Sequence, residues 1–267
     1  MMKFDGNLAW KHASATMAGN RDLLLALAGV FFFLPSFAMI MLFKQPQVPP
    51  GATREQMLML LEPFIASVLP WLIIGSLVQA LGQLTLIELF GRHGRLTVGE
   101  ALRRALRALP SFIVVQLLMG FAASMVLFLA MGLGGLLSPV LGLALGVYAI
   151  CQVYGRFVTA SAVVALERQF NPFRALARSV TLSRGHGWRI GNFLFLLVVA
   201  VLFVFMVVTV IAGIVAALTL GQGRPAEILT GFVSSGATAL VIAYFVAIVV
   251  AIYRQLVGEV SETVAFE

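Results

Sequence analysis

Residues able to do acid–base, nucleophilic or metal chemistry are few in this 267-residue chain and stand far apart. His12, His93 and His186 fall in three separate polar segments, and none has a partner at metal-ligand spacing such as His-Glu-x-x-His. Cys151 is the single cysteine, so no intrachain disulfide forms, and its apolar neighbours make it a packing residue. No phosphate-binding glycine loop, nucleophile elbow or paired-carboxylate motif is present. These residues predict no catalytic group, no metal and no cofactor. The chain reads as a protein that is not an enzyme by itself.

The chemistry that remains is charge. "NPFRALARSVTLSRGHGWR", residues 171–189, holds Arg174, Arg178, Arg184 and Arg189 and no acid. An earlier segment, "LTVGEALRRALRALP", places Arg103, Arg104 and Arg107 on one side of a helix. These seven arginines are the candidate contacts for anionic lipid headgroups, each surface cation near a membrane adding about 1 kcal/mol of attraction. The plainer reading is that they orient and anchor the chain. Nucleic acid is a poor partner for them, because the clusters are short and no reading domain accompanies them. Uncharged polar residues offer a second candidate: Gln79, Gln83 and Gln152 lie in apolar runs and could line a path for a small solute. Interhelical hydrogen bonds are the commoner use of such residues.

The elements that must carry these groups follow from composition. Hydrophobic residues make up 61% of the chain and charged residues 11%, against about 25% charged in a soluble domain. That excess has to face lipid. Crossing a bilayer takes roughly 20 apolar residues, and six stretches qualify: Asp22–Phe43, Pro63–Ile87, Pro110–Met131, Leu136–Ala160, Ile190–Leu218 and Ile228–Tyr253. Continuous apolar runs, not ten-residue alternation, predict helices over a barrel. Pro35 and Pro70 fall inside the first two spans and predict bends. The first run is longer than a signal-peptide core and lacks a small-residue cleavage site, so an uncleaved span is expected.

Basic residues orient the bundle. With the N-terminus inside, the inner segments hold Lys3, Lys11, Arg21, Arg92, Arg95, Arg103, Arg104, Arg107, Arg156, Arg168, Arg174, Arg178, Arg184, Arg189 and Arg254. Lys44, Arg54 and Arg224 fall outside. Fifteen of the eighteen basic residues on one side places both termini in the cytoplasm. Ionisable residues such as Glu62, Glu88, Arg156 and Glu167 sit near span ends, where headgroups can meet them.

Two inner segments read as amphipathic helices in the plane of the inner leaflet. In residues 172–182, Phe173, Leu176, Ala177 and Val180 share the apolar face, and Asn171-Pro172 starts the helix. In residues 97–109, Leu102, Ala105, Leu106 and Leu109 share it, and Thr97 with Glu100 forms a capping box. "FDGNLAWKHASATMAGN" reads as a third surface helix, with Trp10 at interfacial depth. One membrane domain, residues 1–267, is expected. Span, surface helix, span occurs twice, at 63–132 and 136–218, which raises a parallel duplication with only a faint residue-level echo. Ser138, Gly142 and Gly146 recur every four residues and predict a close helix contact, within one chain or between two.

The segment "VVALERQFNPFRALARSVTLSRGHGWRIGNFLFLL" resembles the membrane domain attached to some bacterial glycerophosphodiester phosphodiesterases. The matching positions are Glu167, Pro172, Ala175, Leu176, Arg178, Ser179, Leu182, Arg184, Gly185, Trp188 and Arg189. The resemblance implies an all-helical, multi-pass domain of the bacterial inner membrane that also occurs alone. The catalytic barrel of those enzymes, with its metal-binding carboxylates and histidines, has no counterpart in the sequence, so phosphodiesterase activity does not carry over. The expectation is an all-α polytopic membrane protein, an accessory or structural module that engages anionic lipids or a lipid-related enzyme. A permease or channel for a small polar or lipidic solute is the alternative. The outer connections are too short for a binding domain, so any protein partner is expected on the cytoplasmic side.

Overall fold

A computed structural model of the chain describes residues 4–43, 46, 51, 53–91, 96–134, 138–221 and 223–258. Lys3, Lys44, Arg92, His93, Arg95 and Leu136 lie outside these residues. The described helices are α1 (Gly6–Gly19), α2 (Arg21–Ala28), α3 (Leu34–Leu42), α4 (Arg54–Gly91), α5 (Val98–Gly134), α6 (Pro139–Phe157), α7 (Ala160–Leu166), α8 (Pro172–Leu182), α9 (Gly187–Leu220) and α10 (Arg224–Val257). A π-turn over Gly29–Phe33 joins α2 to α3. Six stretches are long and apolar enough to cross a membrane: Arg21–Leu42, α4, α5, Pro139–Leu166, α9 and α10. The chain is an all-α polytopic membrane protein.

The helices run past the apolar stretches that define them. α4 has 38 residues and α5 has 37, each about 55 Å at 1.5 Å per residue, against a hydrocarbon core of about 30 Å. Helix caps, not the hydrocarbon edge, set their starts. Thr53 and Gln56 bond reciprocally at the start of α4, and Thr97 and Glu100 do so at the start of α5. At Pro35 a π-turn opens the helix just before the proline; widening the coil there accommodates a ring that cannot donate. Pro63, Pro70 and Pro110 lie within unbroken helices.

Continuity through Pro110 corrects the reading of residues 97–109 as a separate in-plane helix. They are the first turns of α5 and continue into the span. The buried stripe also differs: Ala101, Ala105, Ala108, Phe112 and Val115 pack inward, while Leu106 is 52% exposed. Small side chains let helix backbones approach closely, and dispersion contact replaces the hydrophobic effect that would favour burying leucine. α8, by contrast, is a separate short helix. Asn171 caps it by accepting from the Phe173 and Arg174 amides. It buries Ala175 and Ser179 and leaves Phe173, Ala177 and Val180 exposed. α1 is a helix as predicted; it rests on α10, burying Ala9, Ala13 and Met17 and stacking Trp10 on Tyr244 at 5.8 Å.

Packing is concentrated at one end of the bundle. α10 is the central helix, with 56% of its most apolar window buried against 6% for α4 and α9. Its residues Val246–Tyr253 are buried without interruption, beside Leu84–Glu88 of α4 and Ala162–Ala165 of α7. The first and last described segments meet at this same end, where the Asp5 and Gln255 groups bond reciprocally. At the other end, Phe128 and Leu218 are 78% and 81% exposed, the lipid-facing surface of a membrane span.

Glycines set two of the crossings. A Cβ on Gly155 would lie 2.6 Å from both the Gly187 carbonyl oxygen and the Gly191 amide nitrogen, so α6 and α9 cross backbone to backbone there. A Cβ on Gly82 would overlap the Phe31 side chain. The Gly142 and Gly146 contacts are made within the chain, against Gly134 and Leu127 of α5.

Candidate anion site at the arginine-bearing end

The first turns of α5 build one wall of a cavity. Glu100, Arg103, Arg104 and Arg107 recur at intervals of three, one and three residues, within a single helical stripe. This stripe is displaced from the Ala101–Ala105–Ala108 stripe that packs α5 onto the protein, so burying the alanines presents the arginines to the cavity. Its volume is about 350 Å³. Ala108 and Ala165 line it with small side chains, and Glu88 from the end of α4 closes the protein side. Arg168 and Phe170, from the connection between α7 and α8, complete it.

Glu88 is 2% exposed and receives Arg104, whose Nη1 lies 3.8 Å from Glu88 Oε2. This corrects the expectation that Glu88 meets headgroups at a span end: it is interior to the protein. An ionised carboxylate at that depth needs a cation or donors close by. Arg104 therefore has two roles, holding Glu88 and presenting the remainder of its guanidinium to the cavity. Among the described residues, four guanidiniums against two carboxylates give the lining a formal charge of +2.

Arg168 is held by its backbone. Its φ of 53° is the one positive value at a non-glycine among the described residues. It follows the last turn of α7, the position where a left-handed residue ends a helix and glycine is usual. The surrounding chain is pinned on both sides. Glu167 accepts from Arg178 Nε at 3.2 Å and from the Tyr253 hydroxyl at 3.2 Å. The Phe170 carbonyl accepts from the Ser111 hydroxyl, and Asn171 caps α8. A second set of hydroxyls fastens α8 from beneath: Ser179 and Ser183 both donate to the Arg156 carbonyl, at 3.1 and 3.0 Å.

The structure thus brings together three of the seven arginines singled out in the sequence, Arg103, Arg104 and Arg107. Arg174, Arg178, Arg184 and Arg189 do not line the cavity. Arg178 is engaged by Glu167, which lies outside the acid-free segment; Arg174, Arg184 and Arg189 are exposed. Arg168, Glu88 and Phe170 are site residues that the sequence does not single out. The run "RQFNP" after α7 carries a local signal, since Asn-Pro marks a helix start and hence a tight connection before it. Nothing local marks Glu88 as interior.

The glutamines separate. Gln152 donates to Asn192 at 2.7 Å, where the Tyr148 hydroxyl also bonds, in the α6–α9 interface. Gln79 and Gln83 are on α4, which packs on α5, α7 and α10. Cys151 is buried in the hydrophobic core. Among the described residues no three His, Cys, Asp or Glu side chains group closely enough to hold a metal ion. Comparison with protein-family models, with curated proteins and with solved structures gives no match to this chain.

Proposed function

We propose that the chain is an accessory protein of the bacterial inner membrane, with both termini in the cytoplasm, that engages anionic lipid headgroups through its arginine-bearing end and carries no reaction of its own. The observation that supports this most is the cavity shared by Arg103, Arg104, Arg107 and Arg168. Orientation by charge needs cations near the membrane but needs no cavity to gather them in. Guanidiniums suit this task because their planar fork bonds two phosphate oxygens at once. The exposed Phe173, Ala177 and Val180 ridge of α8 supplies an apolar face for the same leaflet. The resemblance of residues 163–197 to a membrane domain joined to phosphodiesterases makes a separately encoded lipid enzyme the partner this reading favours.

The test is retention of lipid. The full chain and a variant with Arg103, Arg104, Arg107 and Arg168 all changed to Gln are purified from the same membranes and compared by native mass spectrometry. Anionic lipid is expected on the parent chain and should be depleted in the variant. Equal anionic lipid on both would refute the proposal.

A further inference from the structure

We infer that the α5–Arg168 cavity is a selective site for a phosphate monoester, the dianionic headgroup class, and not merely a patch that attracts any anionic lipid. The inference deepens the anionic-lipid reading and rests on it. Three observations carry it. The first is charge: among the described residues four guanidiniums are set against Glu88 and Glu100, a lining of +2. A phosphate monoester carries about −1.5 to −2 at neutral pH, whereas a diester headgroup carries a single negative charge. A monoester matches that charge and a diester matches half of it.

The second observation is the backbone at Arg168. A helix ending of this kind favours glycine, and an L side chain at φ 53° is held against its intrinsic preference. Ending α7 needs no arginine there. Arg168 adds a cation to the lining from outside α5, on a connection held by Ser111, Tyr253 and the Asn171 cap. With the backbone ordered on folding, ligand binding has only the exposed Arg168 side chain left to order there.

The third is shape. A cavity of about 350 Å³ accommodates a phosphoryl group and the carbons it is esterified to. Phe170, half exposed at the rim, offers an apolar contact for the carbons beyond the headgroup. Arg104, paired with Glu88, lines the same cavity as Arg168, which is the specificity-determining residue.

The experiment uses the full chain in detergent micelles, titrated with dioleoyl phosphatidic acid or dioleoyl phosphatidylglycerol and read by native mass spectrometry. Inorganic phosphate is then added as a competitor. One phosphatidic acid is expected to bind about fivefold more tightly than phosphatidylglycerol, the factor that one extra unit of charge is worth near a surface cation. Arg168→Gly, which suits the backbone there, should fold normally by circular dichroism and bring the two lipids to parity. Arg184→Gln, outside the cavity, should keep the preference. Displacement by inorganic phosphate would identify the headgroup alone as the ligand, and resistance to it would identify the whole lipid; either agrees with the monoester chemistry. Equal binding of the two lipids, or a preference that survives Arg168→Gly, would overturn the inference while leaving the anionic-lipid reading intact. Absence of binding by either lipid would overturn both.

Discussion

Arg168 concentrates the tension between stability and function in one residue. Its left-handed backbone costs about 1–2 kcal/mol for a residue with a Cβ, partly offset in comparison with glycine by the greater entropy glycine loses on folding. Arg168→Gly should therefore stabilise the fold by about 0.5–1 kcal/mol in thermal unfolding while weakening anionic lipid binding. A loss of stability would mean that Arg168 is structural. Arg104 should move stability the other way. Losing a cation beside a fully buried carboxylate costs about 3–5 kcal/mol; Arg104 is itself 31% exposed, so Arg104→Gln should cost about 2 kcal/mol, and Arg103→Gln close to nothing. The same melts measure all three. Of these residues the sequence announced Arg103 and Arg104 through their stripe. It could not announce Arg168 as a site residue, because its backbone angle is imposed by the connection between α7 and α8 and by Ser111 from 59 residues away.

Helix starts are the part of the element scale that can be read locally. The Thr97–Glu100 box and the Asn171 cap depend on residues two or three positions apart, and both form as their spacing predicts. Which face a helix buries is not local. For residues 97–109 hydropathy offers one apolar face, Leu102, Ala105, Leu106 and Leu109, for the acyl chains, yet α5 packs on the protein through Ala101, Ala105 and Ala108, because the neighbouring helices come too close for larger side chains. Glu88 is hidden for a related reason: its burial depends on α5 and α7 closing around the end of α4, and no pattern in residues 84–91 encodes that. The α6–α9 crossing gives a stringent test of such close approach. Gly155→Ala must displace the Gly187–Gly191 backbone and should destabilise by about 1–3 kcal/mol. Gly213→Ala, on α9 with nothing near its Cβ position, should be neutral or stabilise by up to about 1 kcal/mol. Similar losses in both variants would argue against that crossing.

At the scale of the molecule, the bundle is dense at one end and largely lipid-facing at the other. Hydropathy found the six spans because crossing hydrocarbon is a demand each helix meets alone. It could not find the dense end, which arises from α4, α5, α7 and α10 converging. That end carries Arg103, Arg104, Arg107 and Arg168, and on the proposed orientation it stands where headgroups and the cytoplasm meet. Reporter fusions within residues 167–171 should accordingly read as cytoplasmic, and fusions at residues 221–223 as periplasmic; the reverse pattern would place the cavity on the wrong side of the membrane.

The most direct measurement is a cryo-EM reconstruction of the full chain in nanodiscs containing phosphatidic acid, bound to a rigid fiducial to make so small a protein tractable. A phosphate density is expected inside the cavity, within hydrogen-bond reach of the Arg104 and Arg168 guanidiniums. Ordered headgroups elsewhere on the same face, with the cavity holding only solvent, would contradict a headgroup site there.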